Sequence, residues 1–91
     1  MALTKQDAIE HARKDLAKRL NIDVDEIHES VEDAEFPDLA LGAATRGEMS
    51  GQMITSGWRI RLSAGRQNFE YRANKNQVRL YNYKGKNYTV D

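Results

Sequence analysis

The fold is decided by residues 58–63, which read WRIRLS and alternate strictly between apolar and polar side chains. Successive side chains of a β-strand point to opposite faces, so this alternation predicts a strand with one buried face. The same pattern returns at 69–72 (FEYR) and at 78–81 (VRLY), with short polar connections between the segments. Strands joined by turns this short pair antiparallel, and we therefore expect an antiparallel sheet.

A helix precedes the sheet. Thr4 is a favourable N-cap, and Asn21 tolerates the left-handed conformation in which helices end. Apolar residues recur between them at three- and four-residue steps, which places them on one face of a helix over about residues 4–20. That stripe consists of Ile9, Ala12, Leu16 and Leu20.

The predicted fold class is α+β, with one N-terminal helix packed on a three- to four-stranded antiparallel sheet in two layers. We expect a single domain over residues 1–91. The predicted strands span about 28–35, 53–63, 67–73 and 77–83, and Lys84-Gly85-Lys86 allows a last short hairpin. On the sheet, the expected core residues are Trp58, Ile60, Leu62, Phe69, Tyr71, Val78 and Leu80.

Composition excludes several classes of function. The 91 residues contain no cysteine, which removes thiol catalysis and disulfides, and no apolar run approaches the roughly 20 residues of a membrane-spanning helix. We expect a cytoplasmic protein. The net charge of zero hides an acidic block at 23–38, with eight acidic residues and no basic one, and an excess of basic residues after it. Either the basic strands bind nucleic acid, or the acidic block pairs with them; the second is favoured.

The segment 37–57 is predicted to be a long loop, and long loops in small domains are often functional. Four of its large apolar residues are candidates for partner contact, and alternation puts four arginines on the sheet face away from the helix. Together they form the expected partner-binding surface: Leu39, Leu41, Met49, Met53, Arg59, Arg61, Arg72 and Arg79.

Catalytic and metal-binding motifs are weak in this chain. Its two histidines, His11 and His28, lie in no nucleophile motif, and both are expected on the surface. Residues 21–32 match part of a calcium-loop spacing, but Glu26 occupies the position where the sharp turn needs glycine. We expect no enzyme activity, no cofactor and no dedicated metal site; whether the acidic segment 23–38 binds cations stays open.

Two resemblances follow from these motifs. The leading helix, followed by GWRI at 57–60 and FEY at 69–71, resembles PepSY-type domains, which implies an inhibitory or protein-binding role. More closely, FPD at 36–38, Leu41-Gly42, and the same strands resemble a family of small bacterial domains of unknown function, over about residues 5–81. Many exported members of that family carry a cysteine where Ala43 stands and another near Leu80 or Tyr81, which implies that Ala43 lies close to the strand around Leu80.

These observations favour a non-enzymatic protein-binding or regulatory domain, with peptidase inhibition of the PepSY kind as its most specific form. The alternative is nucleic-acid binding through the arginines of the sheet. The protein partner is expected to contact the loop, and no membrane partner is expected.

Overall fold

The computed structural model describes residues 2–90. A helix, α1 (Lys5–Leu20), and a single 3-10 turn (Val24–Glu26) lead into the sheet. Five strands then follow in chain order: β1 (Ile27–Phe36), β2 (Thr55–Ala64), β3 (Gln67–Asn74), β4 (Gln77–Tyr83) and β5 (Lys86–Val90). They form one antiparallel sheet with the spatial order β1-β2-β3-β4-β5. The α+β class is confirmed.

The sheet has five strands, one more than the upper limit of the predicted three to four. Lys84 and Gly85 connect β4 to β5, with φ angles of 52° and 84°. Two central residues with positive φ make the type of tight turn whose twist matches that of a hairpin, and glycine adopts it without strain. The short segment after this turn is therefore a paired strand.

The helix begins and ends where its sequence predicts. The Thr4 hydroxyl accepts a hydrogen bond from the Asp7 amide at 3.0 Å, and the Asp7 carboxylate accepts one from the Thr4 amide at 3.0 Å. This reciprocal capping box satisfies amides that have no partner inside the helix. Asn21 closes the helix in the left-handed conformation, with φ 56°. Within residues 2–90, no helix is both long and apolar enough to cross a bilayer.

The main core lies between α1 and the sheet. Leu16, Ile60 and Leu80 are fully buried there, as the alternation predicts. Tyr71 is also buried, and its hydroxyl donates to the Asp15 carboxylate at 2.7 Å. Burial and this carboxylate raise the pKa of Tyr71. Three residues expected in the core, namely Leu20, Trp58 and Phe69, are only partly buried and pack at its margin.

The first strand is an edge strand, and its pairing with β2 contains no bulge. Its register with β2 is continuous from Ile27↔Ala64 to Phe36↔Thr55. The register between β2 and β3 stops earlier, at Trp58↔Ala73. Three residues of β2, Thr55–Gly57, therefore pair with β1 but not with β3, and β2 begins at Thr55 rather than at the predicted residue 53.

A bulge interrupts β4 between Leu80 and Tyr83, where the register with β5 shifts and Asn82 has a φ of 52°. An extra residue in a strand reverses which face the following side chains occupy. Tyr83 consequently packs on the helix side, with its ring 6.0 Å from those of Phe69 and Tyr88.

The loop between β1 and β2 forms a third layer, which corrects the two-layer prediction. Residues 37–54 fold over the sheet face opposite α1 and bond to β3, β4 and β5. Three residues of this layer, Ala40, Leu41 and Ala43, lose all or nearly all solvent contact, as does Phe36 at the end of β1. We call residues 37–54 the cover loop.

Candidate partner-binding surface

Arg72 anchors the first half of the cover loop to the sheet. Its Nη1 atom donates to the carbonyls of Leu41 at 3.1 Å and Gly42 at 3.2 Å, while Nε donates to Glu70 at 2.7 Å. Gly42 has a φ of 67°, and a Cβ atom on it would lie 2.6 Å from the guanidinium. The left-handed backbone conformation favours glycine here, and a Cβ atom would in addition require the Arg72 guanidinium to shift.

Arg79 anchors the second half. Only 8% of its side chain is exposed, and its two terminal nitrogens bind Glu48 at 2.6 and 2.7 Å. Hydrogen bonds from this guanidinium, together with the Thr45 amide, lower the pKa of Glu48 to about 2. Arg79 also donates to the Ala43 carbonyl at 3.3 Å. Ala43 thus lies against β4, one residue from the position that the closer resemblance implies.

The other two arginines of this face bind carboxylates of neighbouring strands. Glu32 of β1 lies 3.5 Å from Arg59 and 3.1 Å from Arg61, and Arg59 also contacts Glu70 at 3.3 Å. Two more members of the acidic block, Glu29 and Asp33, pair with Arg13 and Lys5 of α1. Pairing of the acidic block with basic residues is therefore observed.

The outer face of the sheet is not the bare cationic surface expected from alternation. All four arginines form ion pairs, and Arg61 alone among them is more than half exposed, at 59% of its side chain. Nucleic-acid binding stays a prediction, but the surface from which it was inferred is largely occupied by the protein's own carboxylates and cover loop.

The apolar residues of the loop separate into buried and exposed ones. Leu41 has no exposed surface, so its expected role as a contact residue is wrong for this fold. Leu39, Met49 and Met53 are 47%, 98% and 62% exposed. Ile54, which sequence reasoning missed, is 72% exposed. The run Met53-Ile54-Thr55 favours a strand that starts at residue 53, and for that reason Ile54 was not predicted to be an exposed loop residue.

Three of these exposed residues lie around one groove at the cover-loop end of the β1–β2 hairpin. The groove has a volume of about 940 Å³, and Leu39, Met53 and Ile54 line it together with Trp58. Within residues 2–90, Thr55–Gly57 form strand pairs with β1 alone, because the ladder between β2 and β3 ends at Trp58↔Ala73. The groove therefore combines apolar side chains with an unpaired stretch of strand backbone.

Polar and backbone groups complete this groove. Asp33, Glu35 and Lys75 supply charges at its rim. Gly57 forms part of its wall, and a Cβ atom there would lie 2.2 Å from the Ala73 carbonyl oxygen. A larger residue would force β2 and β3 apart at this end, so glycine keeps the groove's inner wall in place.

A second cleft, of about 710 Å³, opens at the β4 bulge. One of its two basic residues, Arg19, donates to Asp15 at 2.7 Å and stacks 4.5 Å over the Tyr88 ring; the other is Lys84. Both interactions of Arg19 are made with other residues of the same chain. The cleft offers less unengaged surface for a partner than the groove does.

The histidines do not contribute to either cavity. His11 and His28 are exposed, on α1 and on β1 respectively. Within the described part of the chain, no three histidine or acidic side chains converge in a way that would hold a metal ion.

These features define a small α+β domain with a loop-covered sheet and one apolar groove. The chain belongs to the family described as Domain of unknown function (DUF8738), which it matches over residues 9–81. The match runs from α1 to β4 and includes the cover loop and the groove. No curated protein and no solved structure matches the chain. The expectation of a family of unknown function is confirmed, whereas membership of the PepSY group has no support.

Proposed function

We propose that this chain is a non-enzymatic protein-binding domain whose contact surface is the groove between the β1–β2 hairpin and the β3–β4 turn. The observation that carries the proposal is the grouping of Leu39, Met53 and Ile54, between 47% and 72% exposed, around one cavity. Small monomeric domains expose single apolar residues commonly, but grouped ones typically mark interaction sites.

The backbone beside these side chains supports the same proposal. Every second residue of an antiparallel strand directs its amide and carbonyl to one side, and on the β3 side Thr55–Gly57 have no strand partner within residues 2–90. An extended segment of a partner can bond to this backbone while its side chains enter the groove. Peptidase inhibition, the form implied by the PepSY resemblance, forms no part of this proposal.

The experiment is a comparative capture of binding partners from the source cells. The wild-type chain, Ile54→Asp and the matched control Met49→Asp serve as baits, and mass spectrometry quantifies the proteins that each retains. Met49 is more exposed than Ile54 and does not line the groove, so the control adds the same charge outside it. We expect a stoichiometric partner with the wild type and Met49→Asp, reduced at least tenfold with Ile54→Asp. Equal capture by all three baits, or by none, would contradict the proposal.

A further inference from the structure

We propose that the free edge of β1 receives an extended, lysine- or arginine-rich segment of a partner protein as a sixth strand of the sheet. This site uses the free edge of β1, whereas the groove uses the β3-facing edge of β2, although Asp33 and Glu35 border both. The proposal is argued from the strand edge and its charge and does not depend on the proposed function.

The length and continuity of β1 make it suitable for strand addition. It is ten residues long, six of those residues are exposed, and within residues 2–90 it pairs with β2 alone. Sheets commonly protect such edges with a proline, a bulge, a very short strand or charged side chains. Between Ile27 and Phe36 only the last of these is present, and the charges are all acidic, so they do not repel a basic segment. The opposite edge differs, because β5 has only five residues and starts with a lysine.

The negative charge of β1 determines which kind of partner segment can pair with its edge. Acidic side chains stand on both of its faces and no basic residue interrupts them: Glu29, Glu32, Asp33 and Glu35. Like charges directly opposite each other destabilise a strand pair, so antiparallel addition of a second copy along this edge is disfavoured. A basic segment places opposite charges in the same positions. Because the charges of β1 are all negative, they disfavour an acidic partner segment as well as attracting a basic one.

The edge retains negative charge in spite of its internal ion pairs. Asp33 contacts Lys5 at 3.3 Å, yet 83% of its side chain is exposed. Glu35 is exposed and, among the described residues, forms no ion pair. Asp23, Asp25 and Glu26 extend the acidic run beyond the start of the strand. Asp33 and Glu35 are therefore the least neutralised charges of the edge, while Glu29 and Glu32 are paired with arginines, and the remaining negative charge favours capture of a cationic segment.

The test is an NMR titration of the ¹⁵N-labelled chain with an acetylated and amidated hexapeptide, Lys-Val-Lys-Val-Lys-Val. We expect amide shifts concentrated in residues 27–36. They should disappear with a peptide N-methylated at alternate residues, which cannot form the ladder, and with the matched Glu-Val peptide. No shift at the highest soluble concentration, equal shifts with the Glu-Val peptide, or β1 amides already protected in a dimer of this chain would each overturn the proposal.

Two variants test the role of charge at the edge. Asp33→Lys should weaken binding of the Lys-Val peptide roughly 2- to 25-fold, because it replaces attraction with repulsion beside the added strand. Glu10→Lys changes the net charge equally on the exposed face of α1, and we expect less than a twofold effect. Equal weakening by both would show non-specific attraction and overturn the proposal. Ile54→Asp should retain the β1 shifts, which separates this site from the groove.

Discussion

The two faces of the sheet are covered by different chemistry. On one face, α1 packs apolar side chains such as Leu16 against Ile60 and Leu80, which are fully buried. On the other, the cover loop is attached through guanidinium groups, which bind backbone carbonyls and the Glu48 carboxylate. Hydrophobic burial is non-directional, whereas each guanidinium contact needs one defined partner. The apolar face therefore tolerates changes that keep volume, while the outer face depends on a few individual residues.

The largest effect is expected on the helix side. Leu16→Ala removes a fully buried side chain and leaves a cavity between α1 and the sheet. The free energy of unfolding should fall by about 2–5 kcal/mol, measured by urea denaturation followed by circular dichroism. Leu16→Met nearly conserves the volume and should cost less than about 1.5 kcal/mol. Similar losses in the two variants would show that packing does not dominate this face.

On the outer face, Arg79→Met should lower the free energy of unfolding by about 1.5–3 kcal/mol, because it removes the charged hydrogen bonds that hold Glu48. The matched control is Arg61→Met, whose side chain is 59% exposed and for which we expect less than about 1 kcal/mol. Trypsin cleavage after Arg46 in the cover loop should accelerate in the first variant only. If the two variants behave alike, Arg79 does not anchor the loop.

A smaller effect is expected at the start of α1. Thr4→Ala removes the hydroxyl that accepts the Asp7 amide. Loss of such a cap typically costs about 1 kcal/mol, which thermal unfolding can resolve. Thr4→Ser keeps the acceptor and should stay within a few tenths of a kcal/mol of the wild type. A loss in Thr4→Ser as large as that in Thr4→Ala would locate the effect outside the cap.

Acid should loosen the cover loop before it unfolds the sheet. The pKa of Glu48 is lowered from 4.5 to about 2, so its ionised form stabilises the folded protein. That contribution is fully present above about pH 4.5 and is lost as the pH falls towards 2. Amide exchange in residues 37–54, measured by NMR between pH 5 and 2, should therefore rise relative to β3. In Glu48→Gln the loop should exchange faster already at pH 5 and depend less on pH; an unchanged pH profile would contradict this role.

Local patterns predicted the helix and the central strands because each signal lies within a few neighbouring residues. Thr4 and Asn21 mark the ends of α1, and the alternation at 58–63 assigns residues to the two faces of β2. The alternation of apolar and polar residues also correctly placed the four arginines on the sheet face away from the core under α1.

The outer cover could not be predicted in this way. Arg72 donates to carbonyls 30 and 31 residues away in the sequence. Because every residue has a backbone carbonyl, the residue types alone do not indicate this contact. The bulge in β4 likewise follows from the left-handed Asn82 rather than from any periodic pattern. The exposed Ile54 was missed because the boundary between loop and strand decides its environment. The groove could not be predicted for the same two reasons, because the cover loop and the start of β2 form its walls.

The most direct test of the covered sheet is a search for nuclear Overhauser contacts between the Ala43 methyl group and the side chain of Arg79. These two residues are 36 positions apart in the chain, and the Ala43 carbonyl lies 3.3 Å from Arg79 Nη1. We predict a contact between them at neutral pH, together with slow exchange of the Gly42 amide, which donates to Asp38. Absence of that contact, with cover-loop amides exchanging as fast as those of an unstructured peptide, would contradict the account.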